Sequence, residues 1–187
     1  MNKSDSAVTV PPWIKPRSAY LHIPFCAHHC GYCDFAIATG KDEMIDRYLD
    51  ALSIELSWLD TPQSVRTIFL GGGTPTYLSC EQLNRLLNTI RHWLPLIDEK
   101  EFSIEANPDT LSVEKIELLL DHGVNRFSLG SQSFRREVLQ VLDRRHNPEQ
   151  IATCVEWLRG RASISMDLIF GAPGQSLKDW RQDLETA

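Results

Sequence analysis

Cys26, Cys30 and Cys33 place three thiols in the run His22-Ile-Pro-Phe-Cys-Ala-His-His-Cys-Gly-Tyr-Cys33. The spacing supplies three thiolate ligands from one short segment and no fourth. A structural zinc site closes itself with four protein ligands, whereas three thiolates on a four-iron cluster leave one iron open to a small molecule. The expected centre is therefore iron-sulfur, with an open position at which chemistry can occur. The competing reading recruits His22, His28 or His29 as a fourth ligand to zinc. Those histidines sit too close to the cysteines for the usual split spacing, and His28 and His29 read as solvent-facing loop residues. Two further cysteines, Cys80 and Cys154, stand alone and read as ordinary semi-buried side chains.

A second group of polar residues falls where apolar runs end. Arg66 to Leu70 leads directly into Gly71-Gly72-Gly73-Thr74. Glycines there let the backbone adopt positive φ and approach a ligand, or mark only a tight turn. A phosphate cradle is disfavoured, because no Lys-Ser/Thr follows and no G-x-G-x-x-G is present. Glu105 ends the run Phe102-Ser-Ile, which aims a carboxylate at whatever lies beyond the strand end. Gln132 and Asp167 end two later runs, and Arg144 follows a helical stretch.

The elements that would position these residues alternate. Strands are expected at Ser18 to Phe25, Arg66 to Leu70, Phe102 to Glu105, Val124 to Leu129 and Ile164 to Phe170. Helices are expected at Asp42 to Leu59, from Ser79, at about Ser112 to His122, near Phe134 to Leu142, from Asn147 and from Ser176. Ser79 with Gln82, and Asn147 with Gln150, read as capping boxes, and Gly123 as a left-handed cap. Five strand-then-helix units predict an α/β fold with a parallel sheet and right-handed crossovers. A doubly wound sheet and a barrel both fit that order. A barrel rim would bring the cysteines, the glycines, Glu105, Gln132 and Asp167 together, so a partial parallel (β/α) barrel is the expectation. A complete barrel typically needs about 250 residues, so the reading is of a barrel truncated after about five units. Residues 1–17 are expected to be a flexible leader and residues 18–187 an incomplete core domain, whose bare edge strands would favour association.

Composition narrows the class. The chain has 187 residues, 42% hydrophobic and 24% charged, as an ordinary globular domain does. A net charge of -6 argues against nucleic acid as a partner. Arg135, Arg136, Arg144 and Arg145 are interleaved with acidic residues and read as a solvated face plus one functional arginine. No signal peptide or membrane-length apolar run is visible, so the expected location is the cytoplasm.

Taken together, the motifs resemble the radical S-adenosylmethionine (SAM) superfamily. The stretches Tyr20 to Cys26, Gly71 to Leu78, Phe102 to Pro108, Arg126 to Phe134 and Met166 to Gly171 are similar to the branch containing oxygen-independent coproporphyrinogen III oxidase and HemW-type haem chaperones. The resemblance implies a 4Fe-4S cluster on Cys26, Cys30 and Cys33, with SAM chelating the fourth iron. It implies that Tyr20, Tyr32, Gly72, Gly73, Thr74, Glu105, Gln132, Arg144 and Asp167 contact SAM. It also implies reductive cleavage of SAM to a 5'-deoxyadenosyl radical, fed by a low-potential donor such as flavodoxin or ferredoxin. The tetrapyrrole partner would be haem, carried to an acceptor protein, or coproporphyrinogen III, oxidised to protoporphyrinogen IX. The oxidase pattern has a further cysteine after the third ligand. Here Cys33 is followed by Asp34-Phe35, and Arg144-Arg-His146 also looks closer to the chaperone type, which is the favoured reading. RNA-modifying radical enzymes are disfavoured by the acidic charge.

Overall fold

The computed structural model describes residues 17–187, so the expected leader lies outside the described residues apart from Arg17. Its centre is a parallel sheet of β1 (Ser18–Ile23), β4 (Val65–Gly72), β5 (Leu96–Ala106), β6 (Arg126–Gln132) and β7 (Ser163–Leu168). Spatial order matches chain order, β1-β4-β5-β6-β7. Each new strand therefore adds to the same edge. A doubly wound sheet would reverse at a switch point, so the strand order identifies a barrel arc, as expected. Within the sheet β1 and β7 each pair with one strand. Between β1 and β4, the short parallel pair β2 (Phe25–Cys26) and β3 (Ala38–Thr39) brackets the cysteine loop. The sequence suggested one strand through Phe25. Pro24 interrupts it, because proline cannot donate to a ladder.

The helices are α1 (Ile45–Ser57), α2 (Cys80–Trp93), α3 (Val113–Asp121), α4 (Arg136–Val141), α5 (Pro148–Leu158) and α6 (Leu177–Thr186). Their starts are set chemically. Ser79 and Asn147 form reciprocal capping boxes with Gln82 and Gln150, and Ser176 does so with Asp179. Gly123, at φ +89°, ends α3 in the left-handed region.

Alternation along the strands sorts side chains into two layers. Ile68, Leu70, Phe102, Ile104, Phe127 and Leu129 are buried in the main core with Leu83, Leu87 and Ile90 of α2, Ile116 of α3 and Ile151 of α5. Tyr20, His22, Phe69, Ser103, Glu105, Ser128 and Asp167 occupy the intervening positions. A barrel interior is usually filled with branched apolar residues. This inner face is largely polar, which suits it to a ligand.

Several boundaries differ from expectation: β7 ends at Leu168 instead of Phe170, β4 runs on to Gly72, and Asp42–Met44 form a 3-10 turn ahead of α1; three others have a clear cause. β5 begins at Leu96 instead of Phe102, because Leu96 pairs with Val65 and Glu101 with Thr67 across an irregular register. The fourth long strand runs from Arg126 to Gln132, two to three residues later than expected, while Val124 packs into the core from the preceding turn. α4 starts at Arg136, since Ser133 and Phe134 are held elsewhere. The carboxylate of Asp183 on α6 accepts from Ser133 Oγ at 2.7 Å and from Phe134 N at 2.8 Å. Among the described residues no helix is long and apolar enough to cross a membrane.

Asp183 is fully buried, so Asp183→Ala strands the buried Ser133 hydroxyl and the part-buried Phe134 N–H just after β6. We expect a loss of about 3 kcal/mol in chemical denaturation. A loss below about 0.5 kcal/mol, the range of an ordinary surface substitution, contradicts this anchoring role.

Candidate functional site

The C-terminal strand ends surround a cavity of about 830 Å³. Cys26, Cys30, Tyr32, Cys33, Gly72, Gly73, Thr74, Glu105, Gln132, Arg144 and Asp167 line it. Of the residues singled out from sequence, Tyr20 stands outside this lining. Its ring stacks on Phe69, a lining residue, at a centroid distance of 6.0 Å, and its hydroxyl lies 3.3 Å from His22 Nδ1.

The thiols come from the end of β2 and the following loop. Cys26 is buried, and Cys30 and Cys33 are partly exposed; all three are free. Burial pushes the Cys26 thiol up, and a hydrogen bond with Thr74 Oγ1 at 3.4 Å counters this. A backbone bond from Cys33 N to Cys30 O at 3.0 Å fixes the turn between the outer two. Among the described residues no three His, Cys, Asp or Glu side chains converge on one ion. The thiols border a cavity without meeting at a point, a donor set suited to a group larger than one ion. His22 Nε2 donates to Ala36 O at 2.8 Å and His29 Nε2 to Cys33 O at 3.0 Å, so the protein itself engages these rings. His29 is exposed as expected. His28 departs from the expected solvent-facing role: it is partly buried, lies 3.4 Å from Arg145 Nη2 and lines the cavity.

The glycine run is required first by the protein's own packing. A Cβ on Gly73 would come within 2.6 Å of the Pro24 carbonyl oxygen, and one on Gly71 within 2.7 Å of the Phe69 ring. Gly72 sits at φ +111°, and a Cβ there would strike His22. In this conformation Gly72 N donates to Glu105 Oε2 at 2.9 Å. Burial pushes the Glu105 carboxyl above the usual carboxylate range, with Gly72 N–H opposing and Asp167 adding to the shift. Asp167 is raised by burial too, partly offset by the Ser128 hydroxyl at 3.1 and 3.2 Å from its two oxygens. Gln132 closes β6 at φ +62°, its carbonyl accepting from Ile169 N at 2.9 Å.

Arg144 reaches the cavity from the segment between α4 and α5. Its Nη2 donates to Asn107 Oδ1 at 2.6 Å and to Gly130 O at 2.9 Å, while Nη1 lies 3.4 Å from both Cys30 Sγ and Tyr32 Oη. Its Nε is buried and finds no hydrogen-bond partner among the described residues. A buried orphan donor calls for an acceptor, and an acceptor-bearing ligand in the adjoining cavity would supply one. Burial pushes the Tyr32 hydroxyl up to about 12, against the pull of Arg144. His146 is pushed down to about 4 by burial and by Arg144, and Nε2 of the neutral ring donates to Ser131 O at 3.0 Å.

Asn107 and Ser128 were not singled out from sequence. Both lie inside the stretches that carry the family resemblance, Phe102 to Pro108 and Arg126 to Phe134, without a role assigned. Only the sheet register brings them to the cavity.

Glu105 gives a pH test. A carboxyl raised in the folded state contributes stability below its unfolded pKa of about 4.3, and loses it as pH rises through the folded value. Glu105→Gln retains an acceptor for Gly72 N and abolishes that loss. Thermal melting of the apoprotein should therefore show the variant gaining on wild type as pH rises above that threshold. A difference independent of pH contradicts the buried carboxylate.

Comparison with known proteins adds the following. The model of the radical SAM superfamily matches residues 20–187. The chain is 46% identical over 177 residues to heme chaperone HemW of Bacillus subtilis, covering 91% of this chain and 47% of that protein. It is 37% identical over 180 residues to anaerobilin synthase of Escherichia coli O157:H7, covering 92% of this chain and 40% of that one. Among solved structures, coproporphyrinogen III oxidase (HemN) from Escherichia coli, a radical SAM enzyme, aligns with a TM-score of 0.84 at 33% identity, over 92% of this chain and 41% of that chain. The chain spans about half the length of the HemW relatives it matches.

Proposed function

The chain belongs to the radical SAM superfamily, and from that premise we propose that it is the cluster- and SAM-binding part of a haem chaperone of the HemW type. Membership implies a 4Fe-4S cluster and SAM. In this reading Cys26, Cys30 and Cys33 hold three irons as thiolates. Gly72, Gly73, Thr74, Glu105, Gln132, Arg144 and Asp167 contact SAM, with Tyr32 beside Arg144 and Tyr20 at the edge. The observation that carries it is one cavity lined by three free thiols, two raised carboxyls and a guanidinium.

When bound, the pair supplies one-electron reduction of a sulfonium. The chain's own residues bind and orient. Glu105 and Asp167, whose carboxyls are both raised, are matched by ligand ammonium and ribose hydroxyl groups. Arg144 pairs with a ligand carboxylate through its unpartnered Nε. Thr74 Oγ1 lies 3.4 Å from Cys26 Sγ, and Arg144 Nη1 donates to Cys30 Sγ at 3.4 Å.

The chaperone is favoured over the oxidase by Asp34-Phe35 after the third thiol, where the oxidase pattern has another cysteine, and by higher identity to HemW than to HemN. The partners proposed are haem, a haem-accepting protein and a low-potential flavodoxin or ferredoxin, in the cytoplasm. The second reading, coproporphyrinogen III oxidation, rests on the likeness to HemN.

One assay tests the cluster ligands and two separate the readings. Replacing any one of Cys26, Cys30 or Cys33 by Ala should abolish most iron uptake on anaerobic reconstitution; retention of wild-type iron contradicts the ligand assignment. Haem titration of the reconstituted chain should shift the Soret band. Coproporphyrinogen III with SAM and reductant should release no carbon dioxide, and turnover there overturns the chaperone.

A further inference from the structure

Two of the three thiols are joined by a continuous path of side chains that no cluster ligand itself supplies. It runs from Cys26 Sγ to Thr74 Oγ1 at 3.4 Å, from Thr74 Oγ1 to Asn107 Nδ2 at 3.0 Å, from Asn107 Oδ1 to Arg144 Nη2 at 2.6 Å, and from Arg144 Nη1 to Cys30 Sγ at 3.4 Å. The path crosses the ends of β4 and β5 and the segment after α4.

Chemistry fixes the direction of every link. A guanidinium has donors only, so Asn107 must turn its carbonyl oxygen to Arg144. Its amide N–H₂ then faces Thr74, whose oxygen accepts. The single hydroxyl hydrogen of Thr74 is left for Cys26. The amide thus makes Thr74 donate to Cys26, while Arg144, having only donors, donates to Cys30 in any case. The amide is itself held in place. Pro108 restricts the Asn107 backbone, and its carbonyl accepts from Thr110 N at 3.0 Å. A Cβ on Gly130 would come within 2.7 Å of Asn107 Oδ1, so the glycine makes room for it.

We propose that Asn107 is a positioning residue: held by Arg144, its amide donates to Thr74 and so turns the Thr74 hydroxyl onto the cluster-ligating sulfur of Cys26, while the same guanidinium donates to Cys30. The inference rests on the cluster reading of the cavity given above. Donors aimed at ligand sulfur stabilise the more negative, reduced state, and hydrogen bonds to sulfur are among the determinants of cluster potential. Asn107 thereby raises the reduction potential without touching the cluster.

The test is nearly isosteric. Asn107→Asp keeps an acceptor for Arg144 but presents a second acceptor to Thr74, whose hydroxyl must turn away from Cys26. Thr74→Val removes the same hydroxyl. Potentials are read by redox titration monitored by electron paramagnetic resonance on the reconstituted full chain. Each single variant should assemble a cluster and show a lower midpoint than wild type, and the double variant should fall by less than the sum, since both changes remove one bond. Affinity for SAM in Asn107→Asp should change by less than the about tenfold loss typical of a broken supporting shell, because Arg144 stays held. An equal Asn107→Asp shift with Thr74 or Val at position 74 would assign the effect to charge alone and overturn the proposal. So would unshifted midpoints, or a cluster that assembles in Thr74→Val but not in Asn107→Asp. Failure of the wild-type chain to take up a cluster is a separate result, which removes the cluster reading itself.

Discussion

The parallel register of the sheet is the constraint on which the site depends. His22 lies opposite Gly71, Leu70 opposite Ile104, Glu105 opposite Ser128 and Leu129 opposite Met166. Side chains alternate with period two, so a slip of one residue would exchange Ile104 for Glu105 in the layer that packs against helices. An unpaired carboxylate there is heavily penalised. The apolar layer that stabilises the fold and the polar layer that forms the cavity are two faces of one choice. With that register set, the strand ends bring Gly72 to Glu105, Ser128 to Asp167 and Asn107 to Thr74 without further machinery.

The electrostatics of the cavity follow. Burial raises Cys26, Tyr32, Glu105 and Asp167, all groups that ionise to anions. Among the described residues that line the cavity, Arg144 is the sole Lys or Arg. It is spread between Asn107, Gly130, Cys30 and Tyr32 and keeps an unpartnered Nε. A cavity of suppressed anions suits a guest carrying cationic charge of its own, and both an iron centre and a sulfonium with an ammonium group meet that description.

Much of this was legible in the sequence where a local rule carries the information. The three thiols declare themselves by spacing, Ser79 and Asn147 by the glutamine three residues on, and Glu105 by being an acid at the end of an apolar run. Asn107 was not legible, since its role comes from a guanidinium 37 positions away in sequence. The early start of β5 was hidden because residues 96–101 have a loop-like composition and are drawn into the sheet by pairing with β4. The glycines were visible, but their reason was not: Gly73 makes room for the Pro24 carbonyl, a contact that exists only once β2 has folded beside β4.

The most direct measurement is electron paramagnetic resonance of the anaerobically reconstituted, reduced protein, with and without SAM, alongside an iron and sulfide count. A three-thiolate cubane with one open iron predicts about four irons and four sulfides per chain and a spectrum that changes when SAM is added. Zinc in place of iron, absence of inorganic sulfide, or a spectrum indifferent to SAM would contradict the account.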